Sequence, residues 1–385
     1  MGSERTYLKT NPWITFAFDI EKVSRRSWIL LGEAVSKCEH IAGVPLMPTV
    51  ARRMHSLYLA KGALATTAIE GNTLTEEEAI AHAEGKLKLP PSREYLAKEL
   101  DNIIDSCNKI QQEVEGFGDA LISVEKILSM NRDVLRGLPN AEEISPGEFR
   151  QHNVTVGKYR CAPWQDCKYL THRLVEFLND FKVSGKEAQV FAIIKATLGH
   201  LYLVWIHPFA DGNGRTARLL EFYILMSAGF PAPACHLLSN HYNKTRTEYY
   251  RHLDIASKTE NGDVLFLQYA VEGFVDGLKE QIEYIREQQW QVSWTNYVHE
   301  LYKGKKSPAE TRKRDLALVL PQNYFVPIEK IPVLTPEMAI AYSGKTRRTI
   351  KRDLAALNSK NLIEIKRGGV RAKKENILAF LPWRR

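Results

Sequence analysis

Between residues 207 and 218 the chain reads His207-Pro208-Phe209-Ala210-Asp211-Gly212-Asn213-Gly214-Arg215-Thr216-Ala217-Arg218. Proline pushes the residue before it out of the helical region, so the apolar periodicity running from Glu187 to Trp205 must stop at Ile206-His207-Pro208. Gly212 and Gly214 open backbone conformations closed to other residues. A new helix is expected just after Gly214, and successive N–H groups can converge on one oxyanion at its positive end. Arg215 and Arg218 are three apart and share a helix face, where their planar forks suit phosphate oxygens. Asp211 is a hard oxygen ligand of the kind Mg²⁺ takes when it bridges phosphates. His207, with an ordinary pKa of about 6.5, could take a proton from an attacking hydroxyl. Singly, each residue has a bland explanation: a helix cap, a turn, a solvated basic face. Their conjunction at fixed spacing points to phosphate chemistry.

Outward from this stretch the periodicity is helical. Apolar positions three and four apart run through Ile29, Leu30, Ala34 and Val35, and a second helical run, Val50 to Glu70, ends at Gly71-Asn72. Thr75 with Glu78 offers a capping box, Pro90-Pro91 breaks the run, and helix resumes from Arg93 through Glu115. After Gly116 and Gly118, Ser123 is placed to cap a helix to Arg136. From Phe149 to Trp164 the texture changes: Val154, Val156 and Tyr159 alternate with polar residues around Gly157, which predicts a short hairpin. Helices are expected again over Lys168 to Lys182, Arg246 to Ser257 and Asp263 to Gln289.

Lys303 to Pro308, rich in lysine and glycine, reads as a linker. Beyond it come helical segments near Thr311 to Leu320 and Pro336 to Tyr342, a basic helix from Thr346 to Lys360, the strand-like Leu362 to Ile365 and a Gly368-Gly369 turn. That is the layout of a winged helix-turn-helix. The predicted organisation is a helical region over 1–115, a core over 116–300 and a winged-helix domain over 306–385.

Charge follows the same division. From Glu300 onward there are 20 Lys/Arg against 8 Asp/Glu, whereas the first 299 residues hold 33 basic and 37 acidic residues. A near-neutral body thus carries a basic tail, and the helix bearing Lys345, Arg347, Arg348, Lys351 and Arg352 invites DNA contact through 345–374. The same face could instead dock a protein. The five cysteines form no C-x-x-C pair, which fits reduced thiols rather than a disulfide framework or zinc site. With no run of about 18 apolar residues and no basic-then-apolar start, the expectation is a cytoplasmic chain with no membrane association. A homo-oligomer is left open.

The stretch 207–218 resembles the signature of the Fic family, H-P-F-x-[D/E]-G-N-G-R-x-x-R, and meets every position of it. The resemblance covers the helical core from about Ser123 to Tyr250; the basic tail lies outside it. It implies a mainly α fold with a small β-hairpin flap, and a protein adenylyltransferase that moves AMP from Mg-ATP to a protein hydroxyl, self-modification included. On that resemblance His207 is the general base and Asp211 the Mg²⁺ ligand. Gly212, Asn213 and Gly214 form the anion hole, Asn213 and Arg215 meet phosphates, and Arg218 meets the γ-phosphate. Tyr242, Asn243 and Tyr249 are candidates for adenine contact, and the hairpin from Phe149 to Trp164 stands where the family's flap clamps its target.

A second stretch, Thr66-Thr67-Ala68-Ile69-Glu70-Gly71-Asn72, is similar to the family's inhibitory motif [S/T]-x-x-x-E-[G/N]. Lying upstream of the core, it implies a self-inhibiting helix in which Thr66 and Glu70 share a face and Glu70 takes Arg218 from the γ-phosphate. Two other readings stay open: removal of AMP or transfer of another nucleotide by the same site, and a DNA-binding regulator whose core only senses nucleotide.

Overall fold

The computed structural model describes residues 5–117, 121–139, 144–181, 187–366 and 368–377. Gly118 and the expected helix end at Lys182 lie outside them. The chain divides into two compact units, Met1–Ile282 and Glu283–Arg385.

The first unit is helical almost throughout. It contains α1 (Arg25–Gly43), α2 (Pro48–Ala68), α3 (Glu76–Ala83), α4 (Glu94–Phe117) and α5 (Val124–Leu135). A two-stranded antiparallel hairpin follows, β1 (Thr155–Val156) and β2 (Tyr159–Arg160), with Val156 opposite Tyr159. After it come α6 (Trp164–Asp180), α7 (Ala188–Ile206), α8 (Asn213–Ser227), α9 (Leu237–Lys244), α10 (Arg246–Ala256) and α11 (Gly262–Leu301). The last of these runs on past the first unit, whose part of it ends at Ile282.

Local chemistry sets the ends. Ser123 accepts a hydrogen bond from the N–H of Lys126, and Thr75 with Glu78 forms the complete capping box. The hairpin turns at Gly157, whose φ of 58° is one a β-carbon resists. α7 and α8 pack on each other and form the centre of the unit. Their buried residues occupy all sides of both helices, as expected of a helix enclosed by others. By length and apolarity α7 could cross a membrane, but most of it is buried inside this core. Around the pair stand α1 and α6 against α7, and α2, α4 and α5 against α8.

Two expectations shift. Helical geometry in α2 ends at Ala68, so Glu70 stands on the turn that follows rather than in the helix, with its N–H bonded to the carbonyl of Thr67 at 3.0 Å. The run starting near Asp263 continues to Leu301 because its apolar positions change partners: Trp294 and Val298 enter the core of the second unit.

That second core also gathers Leu316, Leu354, Leu357, Leu362 and Val370. It joins α12 (Pro308–Val319), β3 (Val326–Pro327), α13 (Pro336–Tyr342), α14 (Arg347–Ser359), β4 (Ile363–Lys366) and β5 (Gly369–Ala372). The three strands form one antiparallel sheet in the order β3-β5-β4. Within this core Arg312 Nε donates to Asp353 at 2.7 Å and the Tyr342 hydroxyl to the same carboxylate at 3.3 Å. α14 is thereby keyed to α12 and α13.

Candidate active site

Everything at the site hangs on the loop between α7 and α8. His207 closes α7 in the left-handed conformation, φ 52° and ψ 59°, which is unusual for a residue with a β-carbon. Its N–H still reaches the carbonyl of Leu203 at 2.9 Å. The ring Nδ1 lies 3.2 Å from the carbonyl of Val204. A carbonyl can only accept, so Nδ1 carries the proton and Nε2 keeps its lone pair. Burial pushes the imidazole pKa down to about 4, against a smaller upward pull from Val204 and Glu70. The ring is therefore neutral near pH 7, the form a base must have.

Gly212 precedes α8 with φ 77°, and α8 begins at Asn213, two residues ahead of the start expected just after Gly214. The Asn213 side chain is buried and bonds both ways to Phe209: it accepts from the N–H and donates to the carbonyl, each at 2.9 Å. It braces the loop. A second brace went unrecognised in the sequence. Buried Asn131 on α5 donates to the carbonyl of Asp211 at 2.9 Å and accepts from the N–H of Gly147 at 2.8 Å. One lone asparagine on an amphipathic helix gives no sequence signal for this.

The two arginines part company. Arg215 turns to Asp211 (3.0 Å) and Glu99 (3.3 Å). Arg218 is fully buried and donates through Nη2 to the carbonyl of Thr66 at 2.9 Å and to Glu70 Oε1 at 2.5 Å. Burial alone would raise the Glu70 carboxyl pKa, but Arg218, with Arg215 and His207, more than offsets it and holds it below the ordinary range. Thr66 thus takes part through its backbone. The carboxylate also lies over Gly214: a β-carbon there would collide with Glu70 Oε1 and come within 3.1 Å of Arg218 Nη1. Glu70 stands where the first turn of α8 would otherwise receive an anion.

The turn bearing Glu70 is held from outside as well. Arg246 Nη2 donates to the carbonyl of Ile69 at 2.6 Å, and the Tyr250 hydroxyl to the same oxygen at 3.4 Å. Both lie in the α9–α10 region, where no motif marks them.

Beside His207 opens a cavity of about 450 Å³, bounded by Ile69, Glu70, Gly214, Tyr249, Tyr250 and Leu253, and on the hairpin side by Val156 to Tyr159. Its size and mixed lining suit a nucleotide-sized ligand. Of the three residues expected at the adenine, only Tyr249 faces this cavity. Tyr242 is enclosed behind it, stacked on the Tyr249 ring at 4.8 Å and donating to Glu221 at 2.8 Å. Asn243 lines a different groove, with Tyr58 and Lys61 of α2. Tyr242 and Asn243 are neighbours on α9 and Tyr249 lies on α10, and sequence alone could not say which would face inward.

Asp211 is half exposed; one carboxylate oxygen accepts from the N–H of Gly212 and the other from Arg215. Among the described residues no group of three or more His, Cys, Asp or Glu could cage a metal. A hard cation here would take one carboxylate and complete its shell with phosphate oxygens and water, which is how Mg²⁺ is commonly bound.

Comparison with known proteins agrees with this architecture. Residues 121–225 match the Fic/DOC family. The chain is 29% identical over 255 residues to the protein adenylyltransferase fic-1 of Caenorhabditis briggsae, covering 65% of this chain and 45% of that protein. It is 32% identical over 197 residues to the C. elegans protein of the same name, covering 50% and 35%. The chain therefore spans less than half the length of these curated relatives. Among solved structures, a Fic family protein from Desulfovibrio desulfuricans G20 shares the fold, with a TM-score of 0.55 at 18% identity over 91% of this chain and 97% of that one. A fragment of Fic-1 from C. elegans gives a TM-score of 0.53 at 28% identity over 69% and 74%. In sequence and in fold, residues 121–225 of this chain belong to the Fic/DOC family.

Proposed function

We propose that this chain is a protein adenylyltransferase that moves AMP from ATP to a hydroxyl side chain of a protein, itself included, and that Glu70 restrains it. The observation that carries the reading is the neutral His207, its Nε2 free, set beside the N-terminus of α8 where Arg218 is also delivered. The hydroxyl oxygen attacks the α-phosphorus, the bond to the β-phosphate oxygen breaks, pyrophosphate leaves, and the hydroxyl proton passes to Nε2 of His207. Positioning and charge stabilisation supply most of such catalysis, in keeping with a site that offers no nucleophile of its own.

Arg218, freed of Glu70, would take the γ-phosphate, and the N–H groups from Gly212 to Gly214 the phosphate oxygens. Asp211 would hold Mg²⁺, whose charge offsets that of the phosphates when bound. The adenine would enter the cavity walled by Tyr249 and Tyr250, and the β1–β2 hairpin would hold the target backbone. The deciding experiment incubates the protein and a cell lysate with labelled ATP and identifies labelled peptides by mass. A mass gain of AMP on Ser, Thr or Tyr supports the reading. Loss of AMP from a modified peptide, or gain of another nucleotide, would replace it with the alternative reactions.

A second reading concerns the unit Glu283–Arg385, which we take as a winged helix with α14 as its DNA-contacting helix and β4–β5 as the wing. Lys345, Arg347, Arg348, Lys351 and Arg352 are exposed at the start of α14, while its other face is buried on the core. A one-sided basic helix favours contact with a polyanion over a purely structural role.

A further inference from the structure

Arg150 lies just ahead of the hairpin, and the site as described makes no use of it. It is 3% exposed, yet among the described residues no carboxylate pairs with it. Its guanidinium instead serves backbone carbonyls on two sides. Nε donates to the carbonyl of His207 at 2.7 Å and Nη2 reaches that of Ile206 at 3.4 Å. On the other side, Nη1 donates to His152 at 2.6 Å and Nη2 to Ala162. Its own N–H donates to Pro208 at 3.0 Å. One side chain therefore ties both ends of the hairpin arm, His152 and Ala162, to the carbonyls of Ile206 and His207, and the backbone N–H of the same residue adds that of Pro208.

The physical need is plain. α7 ends with unsatisfied carbonyls and the negative end of its dipole, and His207 is held there in a left-handed conformation that its β-carbon disfavours. Such a conformation persists only where the surroundings over-determine it. A planar five-donor fork can serve three carbonyl directions at once; an ammonium on a flexible stem cannot.

We propose that Arg150 is a positioning residue that locks His207 in its left-handed, base-competent orientation and couples that orientation to the seating of the β1–β2 hairpin. This rests on the adenylyltransferase reading of the same site. Engagement of a target on the hairpin is then felt at the His207 backbone through a single guanidinium.

The test uses Arg150→Lys, which keeps the charge and loses the fork, and Arg150→Met, which loses both, each in the full chain carrying Glu70→Gly. His207→Ala in the same background is the control. Expected for Arg150→Lys is a kcat lower by at least about tenfold with the KM for ATP nearly unchanged, since misorientation affects the chemical step more than binding. Melting temperature and nucleotide binding report folding. Imidazole ¹⁵N shifts of His207 should show loss of the single Nδ1–H tautomer in both variants. The charged groups facing that ring are Glu70, Arg150 and Asp211, so Arg150→Met should also raise its pKa, whereas Arg150→Lys should raise it less. A folded Arg150→Lys with wild-type kcat and an unchanged His207 tautomer overturns the proposal. If His207→Ala itself retains turnover, the underlying reading fails instead. Should Arg150→Met not fold, Arg150→Lys alone decides.

Discussion

Glu70 and Arg218, 148 residues apart in sequence, meet at 2.5 Å across the mouth of the α8 N-terminus. The arginine is almost wholly buried and the carboxylate about one-third exposed, so the pair sits at the rim of a largely desolvated site. Replacing Glu70 by glycine should free Arg218 for phosphate and raise AMP incorporation by at least about an order of magnitude, equivalent to about 1.4 kcal/mol. Self-modification would show it first. The gain should vanish when His207→Ala is added and nearly vanish with Arg218→Ala. An unchanged rate in a measurably active wild type would remove the inhibitory role from Glu70.

Loss of the base should separate chemistry from binding. His207→Ala removes Nε2 and leaves the N–H groups of the α8 N-terminus intact, so nucleotide affinity should stay close to that of the parent while transfer falls by about 10²–10⁴-fold. Titration calorimetry and single-turnover labelling of one preparation check both halves; retained turnover sinks the assignment.

Gly214 makes a sharper discrimination. A β-carbon there collides with Glu70 Oε1, so Gly214→Ala should loosen the Glu70–Arg218 contact much as Glu70→Gly removes it. Because it also fills the anion position, ATP binding should weaken and no activation should follow. Activation by Gly214→Ala would show that phosphate does not bind over this residue.

Acid should act on stability and on rate in different windows. Burial holds His207 and His241 down to about 4 and His236 to about 3. Their folded pKa values are depressed, so the stabilisation they contribute is fully present above the unfolded value of about 6.5 and is lost as pH falls through it toward the folded values. Melting temperature should therefore decline between pH 6.5 and 4. The rate of folded enzyme should stay level from pH 8 to 6, since the His207 base remains neutral there. A rate limb centred near 6.5 contradicts the buried, neutral imidazole.

For the basic unit, affinity for duplex DNA should fall steeply between low and physiological salt, because Lys and Arg contacts to phosphate release counterions. Deleting the chain from Lys306 should abolish that binding and leave self-modification intact. Salt-independent or absent binding would favour protein docking.

The loop 207–218 was legible because backbone-conformation rules, glycine placement and charge all bear on the same twelve residues. The capping box at Thr75 and the hairpin at Gly157 were legible for the same local reason. What sequence alone does not carry is facing. Asn213 turns inward to Phe209, Asn243 turns away from the cavity, and Tyr242 is screened by Tyr249. Arg150, Asn131 and Arg246 work through carbonyls of distant loops, and backbone acceptors leave no trace in residue type.

Glu70 stands on the turn beyond Ala68 and not within α2. Releasing Arg218 from Glu70 therefore requires no displacement of a packed helix, and its separate bond to the Thr66 carbonyl of α2 can remain. Swinging one carboxylate is a rotamer and turn event, on the picosecond to microsecond scale, whereas moving a helix takes microseconds to milliseconds. On the proposed inhibitory role of Glu70, release would be a fast local event. The background rate of transfer would then follow how often a single side chain turns away from Arg218.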